Sequence, residues 1–388
     1  MAALDISAAT NAWLARLPEA QRLAAQAATD ARLAGFVAGA VVFVAAAAMV
    51  ARTGVIDTLT RRIEARGARP WLASAAAAGL LALVLAVAMA LVNAWSAWRV
   101  GSALAAGGAP AADTGFGAHL APALAGVAPT VTAAVIGVPL LGWLMRRLPR
   151  LWPLAAGATA VASILALFWL PYALSAGPGG GPAPPGPARD AVAQLIAQTR
   201  LPATGVSFNP DPGFDVDVTG GFGRAKVTIG PALTAMPVAE ARAITGHLMG
   251  HYIHHDVLNA CLSGAAVIVI GLFAAQRWGA PLARALGARG VTDPSAPAAL
   301  PALAIIGGVT LTLAWLAVAA YFRWANVGAD AYALDQARAP DGLAAVIERE
   351  WDHNAVAPSP LETVLFYSHP PLSDRIAHAM AWKAAHGG

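Results

Sequence analysis

The chain has 388 residues, of which 58% are hydrophobic and only 12% charged, and its mean hydropathy is +0.60. Soluble globular proteins carry roughly 25% charged residues, so the composition excludes an ordinary soluble domain. The net charge of +4 does not indicate a nucleic-acid partner, because no basic patch carries interleaved aromatics, and the single cysteine, Cys261, excludes an intrachain disulfide.

Residues 1–32 are Ala-rich, with Arg16, Arg22 and Arg32 set among apolar residues. They lack the charged start, apolar run and cleavage site of a signal peptide and predict an amphipathic lead-in helix. A membrane domain of four spans is expected over 33–174, at about 33–51, 71–94, 119–145 and 151–174. Two further spans are expected at 257–276 and 300–322 within a 257–322 segment. Each has the length of the about 20 apolar residues that a spanning helix needs. Trp71, Trp95, Trp98, Trp152, Trp278 and Trp324 stand at span ends, where aromatic belts form.

The loops differ in charge. Arg52, Arg61, Arg62, Arg66 and Arg69 crowd the first connection, Arg146, Arg147 and Arg150 the third, and Arg277, Arg284 and Arg289 the fifth. The positive-inside rule puts these three in the cytoplasm, and both termini and segment 175–256 on the other side.

Residues 175–188, "SAGPGGGPAPPGPA", form a Gly/Pro linker that holds no regular helix or strand. After it, 189–256 begins with a short helix, "RDAVAQLIAQTR". "GVSFN" and "FDVDVTGGFGRAKVTIG" then alternate β-branched and polar residues, as strands do. Gly220, Gly221 and Gly223 read as turn formers, since no strand–GxGxxG–helix context surrounds them.

A helix follows, entered through Pro237, with the stretch "ITGHLMGHYIHHD". His247 and His251 are four apart, so they lie on one helix face and can reach one metal ion at about 2.0–2.1 Å. That is the spacing of an HExxH zinc helix, but Leu248 stands where the glutamate would accept a proton from water. His254, His255 and Asp256 read as a solvated helix end. His255 stands about 12 Å along the axis from His247, too far to share a metal unless the helix breaks.

These blocks resemble metallopeptidase family forty-eight, the CAAX prenyl endopeptidase and HtpX-like membrane zinc proteases. The resemblance rests on "TGGFGRAKVTIGPAL" (219–233), "AEARAITGHLMGHYIHHD", "NVGADAYAL" (326–334) and "FYSHPPLSDRI" (366–376), in the family's order and over most of the chain. It implies that His247 and His251 are zinc ligands and that Asp330 is a partner behind them or a substitute ligand. It also implies that His369 and Arg375 contact the oxyanion or the substrate backbone. The family's general base maps to Leu248 and its third ligand to Asn326, so both glutamates are replaced.

General acid–base catalysis contributes roughly 10²–10⁴-fold, and a leucine supplies none of it. Asn326 offers only a neutral carbonyl oxygen, so one zinc ion is expected to be held weakly or lost. On the bland reading Asn326 is helix-surface polarity, His369 a turn residue before Pro370 and Pro371, and Arg375 a salt-bridging helix residue.

The expected fold is mostly α: a polytopic helical membrane protein of about six spans with a small α+β zincin-like domain. That domain is built from 189–256 and 323–388. The expected function is that of the zinc metalloendopeptidase lineage, with hydrolysis impaired or absent. The alternatives are a pseudoprotease that binds peptides or membrane-protein segments without cutting them, and a membrane scaffold. The expected partners are the lipid bilayer and a peptide or membrane-protein segment; an active relative would add an extended peptide along the 214–230 strand edge. The expected location is multi-pass in a bacterial inner membrane.

Overall fold

The computed structural model describes residues 4–108, 115–174, 180–351 and 354–387. Part of the connection between the second and third expected spans (109–114) and the first five linker residues (175–179) lie outside the described residues.

Among the described residues, six helical stretches are long and apolar enough to cross a membrane: Glu19–Thr53, Pro70–Ala106, Phe116–Arg147, Trp152–Ala173, Asp256–Ala285 and Pro297–Ala337. The lead-in is not one helix. Helix α1 (Ile6–Leu14) is capped by Asp5 and ends before Pro18, and α2 (Glu19–Thr53) runs unbroken into the first span. Helices α3 (Val55–Glu64), α4 (Pro70–Ala106), α5 (Phe116–Ala125), α6 (Val127–Arg147), α7 (Trp152–Ile164) and α8 (Leu170–Ala173) follow, with a π-helical turn at Leu165–Trp169. Then come α9 (Pro187–Thr199), β1 (Ala203–Phe208), β2 (Val216–Gly221), β3 (Arg224–Ile229), α10 (Pro231–Thr234), α11 (Val238–Ile253), α12 (Asp256–Ala285), α13 (Leu300–Ala337), α14 (Pro340–Arg349), α15 (Pro360–Phe366) and α16 (Leu372–Ala385).

The chain divides into two compact units. One comprises Leu23–Val161 and Ala265–Trp315. Its interior is built from small and aliphatic residues, among them Ala46, Ala47, Val50, Leu81 and Leu85. Val41, Leu140, Trp143 and Leu311 are exposed on its outside. Small residues inside and large apolar ones outside suit helices that pack in lipid.

The other unit comprises Met1–Arg22, Ala162–Gly264 and Leu316–Gly388. It contains the three-stranded sheet, in the order β1-β3-β2, with β1 parallel and β2 antiparallel to β3. The expected 214–230 edge is therefore narrower than the sequence suggested: β3 is paired on both sides, and only β2 presents an edge in that segment. Val192 and Leu195 of α9, Val227 and Ile229 of β3, and Ile244 and Met249 of α11 close a core on the sheet. A second core joins Ala243, Leu334, Leu343, Ile347, Ile376 and Met380, with Trp13 and Leu14 of α1 packed on it.

Helix α13 has 38 residues, about 57 Å at 1.5 Å per residue. A bilayer core is only about 30 Å thick, so the helix has length left over after a crossing. Its C-terminal part carries Asn326 and Asp330.

Candidate metal centre

Two helices approach at backbone distance to form the site. A Cβ added at Gly250 would lie 2.8 Å from the Cα of Ala329, and one at Gly246 would lie 3.2 Å from the Cα of Ala333. Glycines four apart on α11 thus face alanines four apart on α13. This contact sets His247 against Asp330.

Asp330 is 2% exposed and both its oxygens are occupied. Oδ1 accepts from His247 Nδ1 and from Arg375 Nη2, each at 2.8 Å, and Oδ2 accepts from Arg375 Nε at 2.8 Å. The paired fork is the strong geometry for arginine and carboxylate. Burial works against the Arg375 charge, but Asp330 outweighs it and holds the guanidinium pKa above its ordinary value. Burial lowers the pKa of His247, with the Asp330 bond working the other way.

His251 is held in the same manner by a different acid. Its Nδ1 lies 2.8 Å from Asp256 Oδ2, and Asp256 Oδ1 accepts from the Tyr321 hydroxyl at 2.6 Å. Asp256 is fully buried, which corrects its reading as part of a solvated helix end. The helix breaks after His254, where His255 takes a left-handed φ of 56°, and α12 starts afresh at Asp256. The break leaves His254 and His255 exposed and turns Asp256 inward.

Each imidazole gives its Nδ1 proton to a carboxylate, so each presents an Nε2 lone pair. The two Nε2 atoms lie 3.1 Å apart. Two acceptors at that distance repel unless they share a cation, either a proton or a metal ion. Both nitrogens are within reach of one zinc ion at about 2.0–2.1 Å from each.

Asn326 is 1% exposed. Its Nδ2 donates to Phe322 O at 2.8 Å and, more distantly, to Ser368 O at 3.5 Å. Its Oδ1 is buried without a hydrogen-bond partner. An orphaned acceptor costs about 1–3 kcal/mol, a cost that a cation would remove. Among the described residues no three His, Cys, Asp or Glu side chains gather as a metal cluster; the two imidazoles are the pair brought face to face.

Leu248 is partly buried and packs against the core of the sheet, the one that includes Val227 and Met249. Arg375 and His369 line a cavity of about 170 Å³ together with Glu350, Trp351, Tyr367 and Ser368. Desolvation there, then the Arg375 charge and His247, push the His369 pKa down to about 4. Arg323 donates to Thr363 O and Tyr367 O, so α13 grips the segment that carries His369.

Sequence reasoning misread Asp256 and missed Tyr321, Arg323 and Glu350. The only signal for Asp256 was an acid five residues past the second histidine.

Residues 190–383, half of the chain, match the model of peptidase family M48. The fold is similar to the crystal structure of S. mikatae Ste24p, with a TM-score of 0.52 and 13% identity, over 88% of this chain and 99% of that one. No curated protein matches the sequence.

Proposed function

The chain belongs to peptidase family M48, and from that premise we propose that it is a membrane metalloprotein whose peptidase chemistry has decayed while its metal-holding geometry has been kept. His247 and His251 hold the ion through Nε2, and the orphaned Oδ1 of Asn326 is the third donor. Bound there, zinc supplies Lewis acidity toward a peptide carbonyl and makes water more acidic.

The observation that carries this reading is the pair of facing Nε2 atoms, each fixed from behind by a buried carboxylate. A helix that merely bears two histidines has no need of two such anchors. Metal-ligating histidines usually do donate their second nitrogen to such partners.

In this reading Asp330 serves as the partner of His247 rather than as a substitute ligand, supported by its bonds to His247 Nδ1 and to the Arg375 fork. The immediate donor set is neutral, so zinc is held less tightly than with a glutamate at position 326. Leu248 cannot move a proton, and hydrolysis is impaired or absent. The protein then works by holding an extended peptide or membrane-protein segment, with the edge of β2 as the surface for strand addition.

The test is the double variant Leu248→Glu with Asn326→Glu, assayed on a casein-like or peptide substrate. The reading expects hydrolysis in the double variant and little or none in the parent. Equal cleavage by both would defeat the claim that the base is lost, and an inert double variant would mean that the loss extends beyond two residues.

A further inference from the structure

The β2–β3 hairpin breaks two local rules at one residue. Gly221 pairs with Arg224, so Phe222 and Gly223 form a two-residue loop, and both have positive φ, 53° and 75°. Such loops favour Asn-Gly, Asp-Gly or Gly-Gly, and a bulky side chain in the left-handed region is disfavoured. The phenylalanine is also 75% exposed. A residue that is strained and unburied at once calls for a gain from elsewhere.

Its neighbour indicates the source of that gain. The Phe222 ring lies 5.5 Å from the ring of Trp169, at 70° between planes. Trp169 belongs to the fourth membrane-length stretch, Trp152–Ala173, four residues or about 6 Å from its end. Leu167, Phe168 and Leu174 around it are exposed, as lipid-facing side chains are.

The hairpin is also seated on that helix end. A Cβ added at Gly221 would come within 2.8 Å of the Cβ and 3.1 Å of the Cα of Ala173. The Tyr172 hydroxyl donates to Val218 O at 3.2 Å. Trp and Tyr at the end of a span mark the depth of the lipid headgroups. The exposed Arg224 follows the tip by two residues.

We propose that the tip of the β2–β3 hairpin is embedded in the bilayer interface, with Phe222 as its anchor and lipid as the partner that covers it. The apolar surface of the fourth span continues onto the hairpin through the Trp169–Phe222 contact, and a bilayer that covers one covers the other. The inference does not depend on metal binding or on hydrolysis.

The test uses the full chain in phosphatidylcholine vesicles, with Cys261→Ala as background. Phe222→Cys and, separately, Arg224→Cys carry an environment-sensitive thiol dye. Pro212→Cys, in the loop at the far end of β2 (about 20 Å away for six residues), is the control. The expected result is blue-shifted emission at 222 and 224, quenched by nitroxide-bearing lipids and shielded from iodide, with the reverse at 212. Iodide quenching at 222 and 224 equal to that at 212 would overturn the proposal. So would shielding from both quenchers with dye self-quenching between molecules, which would mean that a second copy covers the tip.

Discussion

Asp256 accepts the Nδ1 proton of His251 at 2.8 Å from across a break between two helices, and it is the only one of the two histidine anchors that lies close to its histidine in sequence. If it orients a metal ligand, Asp256→Asn should weaken zinc binding by about 10–100-fold, the usual cost of losing such a partner. Tyr321→Phe, which removes the bond behind Asp256 and leaves the carboxylate on His251, should cost less. Competitive zinc titration with a chromophoric chelator measures both, and an unchanged affinity in Asp256→Asn would contradict the assigned role.

Arg375 and Asp330 form a buried, two-bonded pair. Removing one partner of such a pair typically costs about 3–5 kcal/mol, because the other charge stays buried. Arg375→Met should therefore lower the melting temperature in detergent sharply. Arg375→Lys should rescue it only in part, since an ammonium lacks the planar fork. Full rescue by lysine would mean that charge alone matters there.

The glycine pair on α11 sets the helix spacing. Gly250→Val places a Cβ 2.8 Å from the Cα of Ala329 and should cost about 1–3 kcal/mol as overpacking. It should also weaken zinc binding, because His247 and Asp330 are moved apart. A variant that loses stability but binds zinc normally would separate the two effects and contradict the link.

His369 makes stability depend on pH. Its folded pKa lies at about 4, below the ordinary histidine value of 6.5. Between those two values the unfolded chain binds a proton there that the folded chain does not. Stability thus falls as the pH drops through this window and the contribution levels off below about 4. Thermal unfolding of the parent and of His369→Gln from pH 7 to pH 4 should diverge, with the parent falling faster. Parallel curves would show that the residue contributes nothing.

Much of this was legible in the sequence. The spans follow from runs of apolar residues, and the shared face of His247 and His251 follows from a spacing of four. The position of Asp330 one turn beyond Asn326 follows from the same periodicity. Asp256 was hidden because the helix breaks at a histidine with positive φ, and neither glycine nor proline announces the break. The close approach of Gly246 and Gly250 to Ala329 and Ala333 joins segments about eighty residues apart, and no local pattern encodes it. The order of the sheet was hidden for a similar reason: β3 pairs with its hairpin partner β2 on one side and with the more distant β1 on the other.

The measurement that bears most directly on the account is the zinc content of the detergent-purified protein, by elemental analysis, beside a His247→Ala control. Close to one zinc per chain is expected in the parent and almost none in the control. Zinc near zero in the parent, under conditions where the fold is intact, would contradict it: the two facing nitrogens would then share only a proton.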